Sequence, residues 1–259
     1  MIEVSGVTHH FGVGPVLVDV SFAVPTGRTL AILGPNGRGK TTLLKLMAGL
    51  LSPAFGQVRI DGVLRRSSVE VELAIRAKTY FLPADAWFPP TITGREYVLA
   101  VGETWRVPIL RLFEHTDQLL ELFQLKDISN SLISSYSTGQ KRKLALCAAL
   151  ASEANILLLD EPFSGGLDPA GLTAIRHILR RLPRRSERTV VLTSPVPELI
   201  EQIADDVLIL DKGRVQRHAT IPEIIASCGA STFDEALRQL IFPETEDALV
   251  RYFELEVNR

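Results

Sequence analysis

Gly34-Pro35-Asn36-Gly37-Arg38-Gly39-Lys40-Thr41 is the stretch that decides the fold of this chain. It fits the pattern G-x-x-x-x-G-K-[ST] at every fixed position. Before it, Thr29-Leu30-Ala31-Ile32-Leu33 is a short apolar run with strand character. After it, Thr41–Leu51 carries Leu43, Leu44, Leu46, Met47 and Leu50 at helical spacing, until Ser52-Pro53 stops the pattern. A glycine-rich turn between strand and helix lets successive backbone N–H groups point inward, and the helix start adds its positive end. Such a cradle suits phosphate. Lys40 is expected to reach the β- and γ-phosphates, the Thr41 hydroxyl to ligate Mg²⁺, and Thr42 to continue the lining.

Downstream, Ile156-Leu157-Leu158-Leu159 is a second apolar strand, and it ends in two carboxylates, Asp160 and Glu161. A buried strand with acids at its C-terminal edge is where a phosphate-loop protein places the aspartate that holds Mg²⁺ through water. Glu161 then stands ready to polarise a water against the γ-phosphate. Further strand signals at Gln57–Asp61, Thr189–Leu192 and Val207–Leu210 surround a mostly helical stretch from about Thr93 to Ala151. The first thirty residues alternate in a β manner through Ile2, Val4, Val7, Val16–Val20, Phe22 and Val24.

Composition bounds the rest. The chain has 259 residues, 46% hydrophobic and 22% charged, which are globular proportions. Lys plus Arg is 28 against 30 for Asp plus Glu, so no global positive charge argues for nucleic acid. The longest apolar run, Leu144–Ala151, is eight residues, far below the roughly twenty of a membrane span. No secretory leader pattern opens the chain, and Cys147 and Cys228 lie far apart without metal-ligand spacing. A soluble cytoplasmic protein is expected.

Phosphate loop and acidic strand together admit kinases, GTPases and motors. Tyr136-Ser137-Thr138-Gly139-Gln140, followed by basic residues and a Leu/Ala-rich helix, narrows the choice. It resembles the signature of ABC ATPases, usually Leu-Ser-Gly-Gly-Gln, and precedes Asp160 by the usual interval. Gly166-Leu167-Asp168-Pro169 is similar to that family's D-loop. Over roughly residues 2–220 the chain resembles the ATP-binding subunit of an ABC transporter, with a tail like that of exporter-type subunits.

The resemblance implies an α/β fold: a P-loop NTPase core with a mainly parallel sheet flanked by helices, an antiparallel β subdomain, and an inserted helical subdomain. One domain would fill 1–259, with a core of 1–92 and 152–220, a helical signature subdomain at 93–151, and a helical tail at 221–259. ATP and Mg²⁺ are the implied cofactors, with Thr41 and Asp160 on the metal and Glu161 as catalytic base. Two subunits, as homodimer or heterodimer, would sandwich two ATP molecules, each between the phosphate loop of one chain and Ser137–Gln140 of the other. Asp168 is the D-loop residue that the resemblance marks. A transmembrane permease would dock, placing the chain at the inner face of the membrane. Phe11 falls where the family keeps an aromatic on adenine; a core residue after the first strand is the alternative.

Three departures accompany the match. Ala84, in Leu82-Pro83-Ala84-Asp85, stands in the place of the Q-loop glutamine, with Thr93-Gly94-Arg95-Glu96 fixing the register. Pro195 stands where the switch histidine is expected, ten residues before Asp205, and no histidine occurs between His177 and His218. Arg38 replaces a small residue of the phosphate loop, adding charge near the phosphates or pointing outward. The expectation is secure Mg-ATP binding with slow hydrolysis, since one lost transition-state contact costs roughly 10²–10³-fold. A nucleotide-gated regulatory protein with little turnover is the competing reading. Arg176, Arg180, Arg181, Arg184, Arg185 and Arg188 read as a solvated helix face, with contact to anionic lipid headgroups as the alternative, His9 and His10 as strand or loop residues, and Trp87 and Trp105 as either docking groove or local core. The tail from Phe233 reads as two short helices around Pro243.

Overall fold

The structure, a computed structural model, describes residues 1–12 and 14–241; Val13, residues 242–259 and the side chains of Arg185 and Ser186 lie outside the described residues. β1 (Ile2–His10) and β2 (Pro15–Val24) pair antiparallel, their residues alternating between core and solvent. With β4 (Phe55–Ile60) and β5 (Val63–Leu64) they form a four-stranded sheet in the order β2-β1-β4-β5. The second sheet is built from β3 (Thr29–Leu33), β6 (Thr79–Leu82), β7 (Ile156–Leu159), β8 (Thr189–Thr193), β9 (Asp206–Asp211) and β10 (Arg214–Ala219). Its order is β10-β9-β3-β8-β7-β6, parallel throughout except for the β10 edge. Every residue of β3, β7 and β8 is buried, which is why these strands read as unbroken apolar runs.

One core lies between the two sheets and α1 (Lys40–Met47), joining Ile2, Val4, Val7, Leu17 and Val20 to Leu30, Ile32, Leu43, Leu44 and Met47. α2 (Val69–Lys78) covers the edge near β6 and starts at a Ser68 cap. The larger core lies under the helices that cover the opposite face of the parallel sheet. α3 (Gly94–Thr104), α4 (Ile109–Leu122) and α5 (Thr138–Ala151) come from the helical stretch foreseen in the sequence, with single 3-10 turns at Lys126–Ile128 and Ile133–Ser135. A Thr93/Glu96 capping box opens α3. α6 (Pro169–Ser186) and α7 (Pro197–Glu201) connect β7 to β8 and β8 to β9, and α8 (Ile221–Cys228) and α9 (Phe233–Ile241) follow β10.

The strand expected at Gln57–Asp61 runs Phe55–Ile60. The helix expected over Thr41–Leu51 stops at Met47. Gly49 stops it, with φ 72° in the left-handed region, where a Cβ would lie 2.1 Å from Arg65 Nη1. β10 escaped the sequence reading because its residues, Arg214-Val215-Gln216-Arg217-His218-Ala219, are largely exposed at the sheet edge. In the tail, the first expected helix is α9; the second, beyond Pro243, lies outside the described residues.

Candidate active site

The parallel sheet places the C-terminal ends of β3, β7 and β8 side by side. Leu159 pairs with Leu192 of β8, and Ile32 with Thr193. Chain segments far apart in sequence therefore meet at one edge of the sheet. From β3 the phosphate loop turns sharply at Gly34, φ 147°, where a Cβ would lie 1.9 Å from the Leu210 carbonyl oxygen. Gly39, φ 96°, is the N-cap of α1.

Pro35, Asn36, Gly37 and Arg38 lie along this turn, with Asn36, Gly37 and Arg38 exposed. Lys40 folds back over the loop: its Nζ donates to the carbonyls of Gly34 (2.7 Å) and Pro35 (3.0 Å). Burial pushes the Lys40 ammonium down from its ordinary pKa, while Glu161 and then Asp160 pull the other way. Thr42 is buried behind it. Arg38 Nε lies 3.4 Å from Asp211 Oδ1, so its charge is engaged at the end of β9.

The Thr41 hydroxyl donates to Asp160 Oδ2 at 2.8 Å. From the neighbouring strand, the Thr193 hydroxyl donates to Asp160 Oδ1 at 2.7 Å, and it accepts from the Glu161 N–H at 2.9 Å. Asp160 is thus oriented through both oxygens and is 3% exposed. Glu161 has φ 46°, a left-handed conformation that is rare for a non-glycine residue. Ser164 donates to its carbonyl through N–H and hydroxyl.

Ser137 and Gln140 close a capping box at the start of α5, and both hydrogen bonds of that box are local. Ser137 and Thr138 are exposed. Gly139 packs on the D-loop so tightly that a Cβ would lie 2.5 Å from the Gly166 carbonyl oxygen. Asp168 caps α6 through the Gly171 N–H (2.8 Å) and accepts from Lys143 Nζ (2.6 Å). That hydrogen bond from Lys143 is the leading cause of a lowered Asp168 pKa.

Phe11 is 61% exposed and lies edge-on to His9, so the core alternative does not hold for it. His9 is buried, with Nδ1 2.9 Å from the Ser52 carbonyl oxygen, while His10 is exposed. Trp87 is 77% exposed, whereas Trp105 packs on Tyr80 at 5.0 Å between ring centres, so the two tryptophans part ways. Among the arginines, Arg180, Arg181 and Arg184 are exposed, Arg176 binds Gln202, Arg188 is half-buried, and the Arg185 side chain is outside the described residues. Ala84 contributes only a methyl group and a carbonyl, and Pro195 is exposed just past β8. The Asp205 carboxylate is turned to the Thr29 N–H at 2.8 Å.

Two residues that the sequence reading did not single out stand at the centre of this arrangement. Thr193 ends an apolar strand and has no motif to announce it. Arg142, in α5, places its guanidinium against the backbone that carries Asp160 and Glu161. Their signal is tertiary.

Residues 17–164 match the family described as ABC transporter. The chain is 33% identical over 238 residues to the daunorubicin resistance ATP-binding protein DrrA3 of Streptomyces coeruleorubidus, covering 92% of this chain and 74% of that protein. It is also 33% identical over 229 residues to the Nod factor export ATP-binding protein I of Rhizobium leguminosarum bv. viciae, covering 86% and 72%. A sulfate/thiosulfate import ATP-binding protein, CysA of a Synechocystis strain, matches at 33% over 86% of this chain and 61% of its own length. Among solved structures, an ATP-binding subunit of an ABC transporter superposes with a TM-score of 0.85 at 26% identity, over 93% of this chain and 99% of that one. The dimeric cassette MJ0796 is alike in fold, with a TM-score of 0.74 at 24% identity over 85% of this chain and 98% of its own.

Proposed function

This chain belongs to the ABC transporter family as an ATP-binding subunit with ATP hydrolase activity, and on that premise we propose how its residues carry the reaction. The observation that carries the reading is the Asp160 carboxylate, held at one oxygen by Thr41 of the phosphate loop and at the other by Thr193. Hydroxyl and carboxylate oxygens at this spacing are hard donors that suit Mg²⁺, which keeps most of its waters and takes few protein ligands. When bound there, the ion would neutralise charge on the β- and γ-phosphates. Gly34–Thr42 cradles the phosphates through backbone N–H groups, Lys40 exchanges its two loop carbonyls for phosphate oxygens, and exposed Phe11 stacks on the adenine. Glu161 takes a proton from the attacking water as the bond between the γ-phosphorus and the bridging oxygen breaks, leaving ADP and phosphate.

Among the described residues the Ser137 hydroxyl and the Gln140 side chain bond only within their capping box, and Ser137 and Thr138 are exposed, so the start of α5 can meet the γ-phosphate of a second subunit, with Asp168 at the same interface. The core of 1–92 and 152–220, the helical part at 93–151 and the tail at 221–259 divide the labour between nucleotide and partner. The partner is a transmembrane subunit, and the chain works at the cytoplasmic face of the membrane. Among the described residues no helix is long and apolar enough to cross a bilayer. Exposed Trp87, three residues after Ala84, and exposed Ile109, Leu110 and Phe113 at the start of α4 offer apolar side chains for docking.

Slow turnover is supported by the Ala84 methyl and by Pro195, neither of which offers a side-chain donor to a γ-phosphate. The same two residues favour the second reading, a regulatory cassette whose output is ATP-driven dimerisation. Light scattering of Glu161→Gln tests the site. With Mg-ATP the mass should double, and with a charge introduced at Ser137 the doubling should vanish while nucleotide still binds. An unchanged mass in Glu161→Gln with ATP refutes the sandwich.

A further inference from the structure

Arg142 lies in the second turn of α5 and is 5% exposed. Its guanidinium meets no carboxylate at ion-pair distance among the described residues; every bond it makes is to a backbone carbonyl. Nη1 donates to Pro83 (3.0 Å) and Ala84 (3.2 Å), Nη2 to Asp160 (2.9 Å) and Glu161, and Nε to Pro162 (3.4 Å). Burial pushes the guanidinium down from its ordinary range, while the nearby Asp160, Glu161 and Asp85 charges oppose the shift. A buried cation without a paired anion is costly unless its donors are satisfied, and here a rigid five-donor fork is spent on two short stretches of chain.

Those stretches are the turn after β6, at residues 83–84, and the turn after β7, at residues 160–162. The second contains Glu161 in its left-handed conformation, φ 46°. A non-glycine residue held there persists only when its surroundings over-determine it. Thr193 fixes its N–H; Arg142 and Ser164 fix its carbonyl. We propose that Arg142 is a positioning residue for hydrolysis: by gathering the carbonyls of both turns it locks the Glu161 backbone, and so aims the Glu161 carboxylate. It also joins the signature helix and the 83–84 turn to the same unit, and at that turn Ala84 provides no side-chain link of its own. This inference rests on the reading of Glu161 as the base.

Arg142→Ala and Arg142→Lys in the full chain, assayed by steady-state phosphate release with Mg-ATP, test it. Misplacing a reacting group by about 1 Å costs on the order of 100-fold, so kcat should fall by about that factor. KM and the calorimetric affinity for ATP should stay within about threefold, because the phosphate loop makes no bond to Arg142. Guanidinium ion at millimolar concentration should restore part of kcat in Arg142→Ala and leave the parent unchanged. If Arg142→Ala does not fold, Arg142→Lys, with charge and stem kept but no planar fork, should show the same loss confined to kcat. A kcat within twofold of the parent in Arg142→Lys, or a loss that appears equally in ATP affinity without guanidinium rescue, overturns the proposal. Glu161→Gln separates the two claims. If it turns over like the parent, the reading of Glu161 fails; if it is inactive while the Arg142 variants are normal, only the positioning role fails.

Discussion

Thr193→Val is the sharpest test of how the site is held together. The substitution keeps the shape of a side chain that is 0% exposed and removes only its hydroxyl. Two bonds go: the donation to Asp160 Oδ1 at 2.7 Å and the acceptance from the Glu161 N–H at 2.9 Å. A hydrogen bond to a charged group contributes about 1.5–3 kcal/mol, and a buried donor left unpaired costs about 1–3 kcal/mol. Glu161 is partly solvated, so the lower half of the sum applies, about 3 kcal/mol. For a chain of this size each kcal/mol moves the thermal midpoint by about 2–4 °C, so calorimetry should show a fall of about 6–12 °C. Thr193→Ser keeps the hydroxyl and loses one buried methyl, a change that costs about 0.5–1.5 kcal/mol by analogy with Ile→Val; it should recover most of the midpoint. Turnover measured well below the midpoint should also fall in Thr193→Val, because Glu161 loses the tether on its N–H. A valine variant within about 1 kcal/mol of the parent, or a serine variant as unstable as the valine one, would refute this account of the site.

Lys40→Ala should weaken ATP binding by about 100-fold, as expected for loss of a charge-assisted contact worth about 1.5–3 kcal/mol; equal heats of binding for parent and variant in titration calorimetry would sink the phosphate-loop assignment. Pro195→His should raise steady-state phosphate release by about tenfold, a partial return of the roughly 10²–10³-fold that one transition-state donor supplies. A parent already turning over at about one per second or faster, an ordinary enzymatic rate, would show that the substitutions at 84 and 195 do not impair hydrolysis.

Much of this site is legible along the chain because its chemistry is local. A loop that wraps phosphate needs glycines at set intervals between a strand and a helix, and residues 34–41 supply them in eight consecutive positions. An acidic pair after four apolar residues announces the strand end at Asp160 and Glu161, and Ser137 with Gln140 announces a helix start three residues apart. The departures at Ala84 and Pro195 are equally readable, since a missing functional group is visible in the residue type itself. Helix ends were less so: α1 stops at Met47 because Gly49 must turn against Arg65 and Glu72, residues that reach it only through the fold.

What the linear order could not contain is which distant residues share an edge. Asp160 and Thr193 are 33 residues apart and touch because β7 and β8 are neighbours in register, a pairing set by sheet order. Arg142 could equally have been a solvated cation on an alanine-rich helix; only the packing of α5 against β6 brings its guanidinium under the turns at 83–84 and 160–162. The identity of the chemistry follows from residue type and spacing, which covalent order fixes. The placement of the Glu161 backbone and of the Asp160 carboxylate follows from long-range hydrogen bonds, which exist only once strands and helices have buried their apolar faces against each other and brought these groups within 3 Å.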